Sequence, residues 1–80
     1  VSQDAIESRV KEIVADQLGL SVEEVQTGSL FTGDLGADDL DFLEIIMAFE
    51  EEFEVDIDDS VAERFVSIQD VIDFVSQRAN

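Results

Sequence analysis

Apolar residues recur along this chain at helical spacing, and one stretch carries them on two faces. Ile6, Val10, Ile13, Val14 and Leu18 fall three or four apart and predict a first amphipathic helix of about four turns. Ser2 or Asp4 can cap its start and Gly19 can end it. From Leu20 to Asp34 the period fades into a long loop. Within it, Ser21-Val22-Glu23-Glu24 has capping-box spacing for a single turn ending near Val25, and Leu30 and Phe31 are expected to anchor the loop in the core. The period returns from about Asp39 to Phe53, after Gly36-Ala37-Asp38, with Asp38 as N-cap and Asp41 three residues on.

At about 100° per residue, Phe42, Ile45, Ile46, Phe49 and Phe53 share a sector of roughly 100°, the expected core face. Leu40, Leu43 and Met47 form a second stripe roughly 100–160° round from Phe42, flanked by Glu44, Glu50 and Glu51. Such a stripe is either covered by another element, a scatter of ordinary exposed aliphatics, or a docking surface. A chain of 80 residues has little material for burying one helix on two sides, so docking on a basic partner with an apolar groove is the reading carried forward.

Beyond it, Glu54 to Asp59 alternates like a strand but has no partner strand, so an extended connector burying Val55 and Ile57 is expected. Ser60-Val61-Ala62-Glu63 is a capping box for a short helix through Arg64 or Phe65. Ser67-Ile68-Gln69-Asp70 opens a last helix whose inner face is Ile68, Val71, Ile72 and Val75. The fold class expected is all-α: a four-helix bundle with a long first loop and a short third helix, residues 1–80 forming one domain.

Charge narrows the possible partners. Twenty-one acidic residues against 4 basic ones leave a net charge of −17, which disfavours nucleic acid and anionic membranes and favours basic protein surfaces. Self-repulsion of this size predicts a melting temperature that rises with added salt or magnesium, and a flat response would show local neutralisation instead. There is no Cys for disulfides or thiolate chemistry, and no His as general base or zinc ligand. No apolar run approaches a membrane span and no signal peptide is visible, so cytoplasm or an organelle matrix is the expected compartment, and a monomer the expected state. The sequence opens on Val1, not Met, so trimming ahead of it is expected.

Chemistry of the usual kinds finds little support. Glu54, Asp56 and Asp58 have the 1, 3, 5 spacing of a calcium loop, but Asp59 stands where that loop needs Gly and Phe65 where it needs Glu. No dedicated metal site is expected, only weak exchangeable binding of divalent cations by crowded carboxylates. With no His to activate a Ser and no phosphate-binding loop, catalysis is not expected.

The run Leu35-Gly36-Ala37-Asp38-Asp39-Leu40-Asp41, followed by Met47-Ala48-Phe49-Glu50-Glu51-Glu52-Phe53, resembles the acyl carrier proteins of fatty-acid and polyketide synthesis. The likeness extends through Val10-Lys11-Glu12-Ile13-Val14 and Ile72-Asp73-Phe74-Val75. It implies a four-helix fold, no catalytic activity, and 4′-phosphopantetheine borne on a serine in relatives. Asp39 stands at that attachment position. A carboxylate there could form only a hydrolysable mixed anhydride, so no cofactor is expected as written. The resemblance further implies that basic faces of synthesis enzymes read Asp38, Leu40, Asp41, Leu43, Glu44, Met47, Glu50 and Glu51, with Asp59 near the short helix. Relatives sequester acyl chains between their helices, and Phe42, Ile46, Phe49 and Phe65 stand where they are expected to fill that pocket and leave little cavity. Three readings follow: a carrier-like protein that acts by binding, an ordinary carrier whose serine has been exchanged for Asp39 by engineering, and a divalent-cation-responsive acidic module.

Overall fold

The computed structural model describes residues 3–78, and among them the chain forms four α-helices and no strand. Helix α1 spans Gln3–Leu18, α2 Asp39–Phe53, α3 Asp59–Ala62 and α4 Ile68–Arg78, and a single 3-10 turn, Val22–Glu24, interrupts the long first loop. The expected all-α bundle, with that loop and a short third helix, is therefore the observed one.

Helix α1 buries Ile6, Val10, Ile13, Val14 and Ala15, while Leu18 is only half-buried. It ends at Gly19, where φ is +70°, and the Leu20 N–H returns to the Ala15 carbonyl at 2.8 Å. This six-to-one bond needs a left-handed residue after the last turn, which glycine adopts without a Cβ clash. Asp4 lies inside the first turn and does not cap the helix; Ser2 lies outside the described residues.

Helix α1 packs on both α2 and α4. Ile68, Val71, Ile72 and Val75 of α4, Val10 and Val14 of α1, and Ile45 and Phe49 of α2 are wholly enclosed. Each such side chain contributes roughly 1.5–3 kcal/mol by leaving water.

The long loop is tied to the start of α4. Ile68 and Gln69 donate their N–H groups to the carbonyls of Ser29 and Thr27 at 3.1 and 2.9 Å, and Phe31 donates to Val66 at 3.1 Å. Asp70 accepts from the N–H groups of Val66 and Ser67, at 2.9 and 3.0 Å. The orphan donors of a helix start are thus satisfied by loop carbonyls and one carboxylate. Phe31 anchors the loop as expected, but Leu30 does not: it is exposed, with its backbone bridged to Ser67. Neighbouring residues in an extended bridge point opposite ways, so only one of the two can face the core.

The connector after α2 buries Ile57 and half-buries Val55. Helix α3 starts differently from expectation. Asp58, not Ser60, is its N-cap, accepting from the Val61 N–H at 3.0 Å and from the Ser60 hydroxyl at 2.7 Å. These two bonds, the hydroxyl first, hold the Asp58 carboxyl below the usual carboxylate range. The helix closes at Ala62, short of Arg64 and Phe65.

An acidic, apolar-striped helix beside an open cleft

The start of α2 is built by short-range bonds. Asp34 accepts from the Leu30 N–H at 2.8 Å, and Ala37 donates to the Phe31 carbonyl at 2.9 Å, drawing the loop into a tight coil. Gly36 then takes φ +70° and turns the chain into the helix. Asp38 accepts from the Asp41 N–H at 2.8 Å and Asp41 from the Asp38 N–H at 3.3 Å, the reciprocal capping box the spacing predicts. Asp39 is the first helical residue and is exposed. Its carboxylate sits at the positive end of the helix dipole, worth about 0.3–1 kcal/mol.

Down the helix the two predicted stripes separate. Ile45, Ile46 and Phe49 are buried, and Phe42 and Phe53 are half-buried at the edges of that face. Leu40, Leu43 and Met47 are 64%, 54% and 57% exposed. Large apolar side chains this exposed in a continuous row, one turn apart, are the feature that isolated surface aliphatics lack.

The carboxylates around this stripe are not equivalent. Asp38 and Asp41 are engaged in the capping box. Glu44 accepts from the Gln17 amide of α1 at 2.7 Å. Glu50 is half-buried and accepts from the Ile57 N–H at 2.9 Å, so it holds the connector against α2. Asp39, Glu51 and Asp59 are exposed and have no side-chain hydrogen bond to another described residue. They are the acids free to meet an incoming cation.

Beside the stripe lies a cleft of about 430 Å³ between α2 and α3. Phe42, Leu43, Ile46 and Met47 form one wall, with Ile57 and Ala62 on the other, and Asp39, Glu50, Asp59 and Glu63 supply its polar rim. A second cleft of about 210 Å³, reaching Phe31, Thr32, Phe65 and Val66, shares Asp39, Phe42, Ala62 and Glu63 with the first. Both are open grooves at the surface, beside the residues expected to fill a pocket. Phe42 is drawn aside against Phe31, edge to face at 5.3 Å, and Phe65 packs in the same manner on Phe74 at 5.4 Å. Phe42, Ile46 and Phe65 line these clefts, and Phe49 belongs to the enclosed core.

Sequence reasoning missed Ile57, Ala62 and Glu63 as part of this site. They reach it only through the placement of α3, for which no local pattern exists. Among the described residues, no group of three or more acidic side chains converges to hold a metal ion, and no helix is long and apolar enough to cross a membrane.

Residues 8–75 match the family described as "Phosphopantetheine attachment site". Over 74 residues the chain is 51% identical to the acyl carrier protein of Nitratidesulfovibrio vulgaris, in both strain DP4 and strain Hildenborough, covering 92% of this chain and 97% of each relative. An exposed helix start at the mouth of an apolar cleft and a likeness running through nearly the whole chain agree: this chain belongs to the phosphopantetheine-attachment family, that of the acyl carrier proteins.

Proposed function

We propose that this chain is an acyl-carrier-type docking module whose attachment position, Asp39, takes no prosthetic group. Attachment of 4′-phosphopantetheine requires a hydroxyl oxygen to attack the pyrophosphate of coenzyme A, releasing the nucleotide and leaving a phosphodiester. The carboxylate of Asp39 would give an acyl phosphate that water cleaves. Its single negative charge instead imitates the phosphodiester of a modified carrier.

The observation that carries this reading is the exposed row Leu40, Leu43 and Met47 beside an acid-rimmed cleft. That combination suits the basic, apolar-grooved faces of fatty-acid or polyketide synthesis enzymes, where buried aliphatics give affinity and charge gives orientation and on-rate. Asp39, Glu51 and Asp59 supply the free charge, and Asp38, Asp41, Glu44 and Glu50 add to the field while also holding the fold.

A second reading draws on the cleft. Its opening beside Asp39 suits an ordinary carrier whose serine has been exchanged for aspartate. One experiment separates the two. The wild-type chain and Asp39→Ser are incubated with coenzyme A and a phosphopantetheinyl transferase and weighed by mass spectrometry. Both readings predict no mass gain for the wild type, and a gain there contradicts them. A modified Asp39→Ser chain that then accepts an acyl group supports the exchanged carrier, while one that refuses it supports the docking module.

A further inference from the structure

Among these 80 residues sulfur occurs once, at Met47, and Cys, Trp, Tyr and His are all absent. Those are the side chains on which mild peroxide oxidants act, so any such oxidation of this sequence converges on one atom, the Met47 Sδ. The atom is accessible without unfolding, since Met47 is exposed at the C-terminal end of the α2 stripe and forms part of the cleft wall. The buried core contains no sulfur, so the rest of the fold has nothing to lose to the same reagent.

We propose that Met47 is a reversible oxidation site through which peroxides weaken docking on α2. The inference rests on the docking reading above. In the step, a lone pair on Sδ attacks one peroxide oxygen as the O–O bond breaks. That oxygen stays on sulfur as the sulfoxide, and the other leaves as water or an alcohol after taking up the proton. Sulfur is oxidised by two electrons and the peroxide is reduced by two. A methionine sulfoxide reductase reverses the change at the expense of a dithiol.

The consequence follows from the neighbours. Leu43 lies one turn before Met47 on the exposed stripe, and Ile46 shares its cleft wall. The carboxylates that flank it on α2 are Glu44, Glu50 and Glu51, with the Gln17 amide committed to Glu44. An ionised carboxylate only accepts hydrogen bonds. When a partner covers the stripe, a sulfoxide oxygen gives up its bonds to water and gains none from these flanking carboxylates, so its burial opposes association. The thioether it replaces is a flexible apolar group suited to such contacts.

The test uses the whole chain and a phosphopantetheinyl transferase as the binding partner. Wild type, Met47→Leu and Met47→Gln are each measured before and after hydrogen peroxide, with thermal melting followed alongside. Expected for the wild type are one added oxygen mapped to Met47, an unchanged melt, and binding about tenfold weaker, the scale of losing one interface anchor. The reductase restores it. The affinity of Met47→Leu, whatever its starting value, is the same before and after peroxide, and Met47→Gln imitates the oxidised wild type. Full oxidation with unchanged affinity overturns the switch, as does a Met47 that resists peroxide in the folded chain. If binding of the untreated wild type is absent, or indifferent to Glu51→Lys, the docking reading itself has failed.

Discussion

On one side of the molecule, Val10 and Val14 of α1 meet Ile68, Val71, Ile72 and Val75 of α4 with nothing left exposed; on the other, α2 turns Leu40, Leu43 and Met47 outward above α3, which buries no residue at all. Both sides use aliphatics at the same helical spacing. The difference is the length of the neighbour. Helix α4 has 11 residues and can cover α1, whereas α3 has only 4 and extends about 6 Å along its axis. A helix that short cannot cover the second stripe of a 15-residue α2, and what it leaves open is the cleft. One region is therefore occupied with stability, and the other is left open, where the proposed docking takes place.

The sharpest way to break this comparison is a pair of truncations on α2. Phe49→Ala, on the enclosed face, is expected to cost about 3–5 kcal/mol in urea unfolding. Leu43→Ala, on the open face, is expected to stay within about 0.5 kcal/mol of wild type. Equal losses would mean the second stripe belongs to the core. Smaller effects come from local imperfections on each side. Glu54 ends α2 in the left-handed region at φ 54°, ψ 48°, a conformation that costs a non-glycine residue about 1 kcal/mol. Glu54→Gly should recover about that much, again by urea unfolding, and no gain would show that the ending is not strained.

In α4 the Ser76 hydroxyl is buried without a hydrogen-bond partner. Ser76→Ala should therefore raise stability by about 1 kcal/mol. A loss there would reveal a bond the hydroxyl makes in solution.

The smallest effect concerns the cap of α3. Because the Asp58 carboxyl titrates below its ordinary range in the folded chain, its contribution is complete above that range and is lost as pH falls through the lowered value. The gap in melting temperature between wild type and Asp58→Ala should be widest near neutral pH and close in acid. A constant gap would show that the cap works without its charge.

Much of this was legible in the sequence, for a physical reason. The limits of α2, its capping box and its two stripes depend on residues within a few positions of one another, and local periodicity reads them directly. The inner face of α4 and the glycine end of α1 are equally local. Leu30 misleads because its burial depends on which way a backbone bridge to Ser67 turns it, a contact 37 positions away. Ser60 misleads because Asp58, two residues earlier, is the stronger acceptor and takes the Ser60 hydroxyl as its own donor. The shape of the clefts was not legible, since Phe42 and Phe65 find ring partners in Phe31 and Phe74 that no helical spacing reveals.

Charge shows the same division between local and tertiary. Lys11 pairs with Glu7 one turn away at 3.0 Å, a local i, i+4 pair. Arg9 bonds its near neighbour Glu12 and also the distant Glu52 of α2, both at 2.9 Å. The Arg9 bond pulls the Glu52 carboxyl below its usual value, and the two glutamates raise the guanidinium above its own. These pairs are exposed and individually modest, yet they place half of the chain's 4 basic residues on α1, away from the α2 stripe.

The most direct test of the account is a binding titration of the chain against a phosphopantetheinyl transferase, repeated with Leu43→Ala and Glu51→Lys. The prediction is that the wild type binds, that each variant binds at least about tenfold more weakly, and that all three melt together. Three indistinguishable affinities would contradict it.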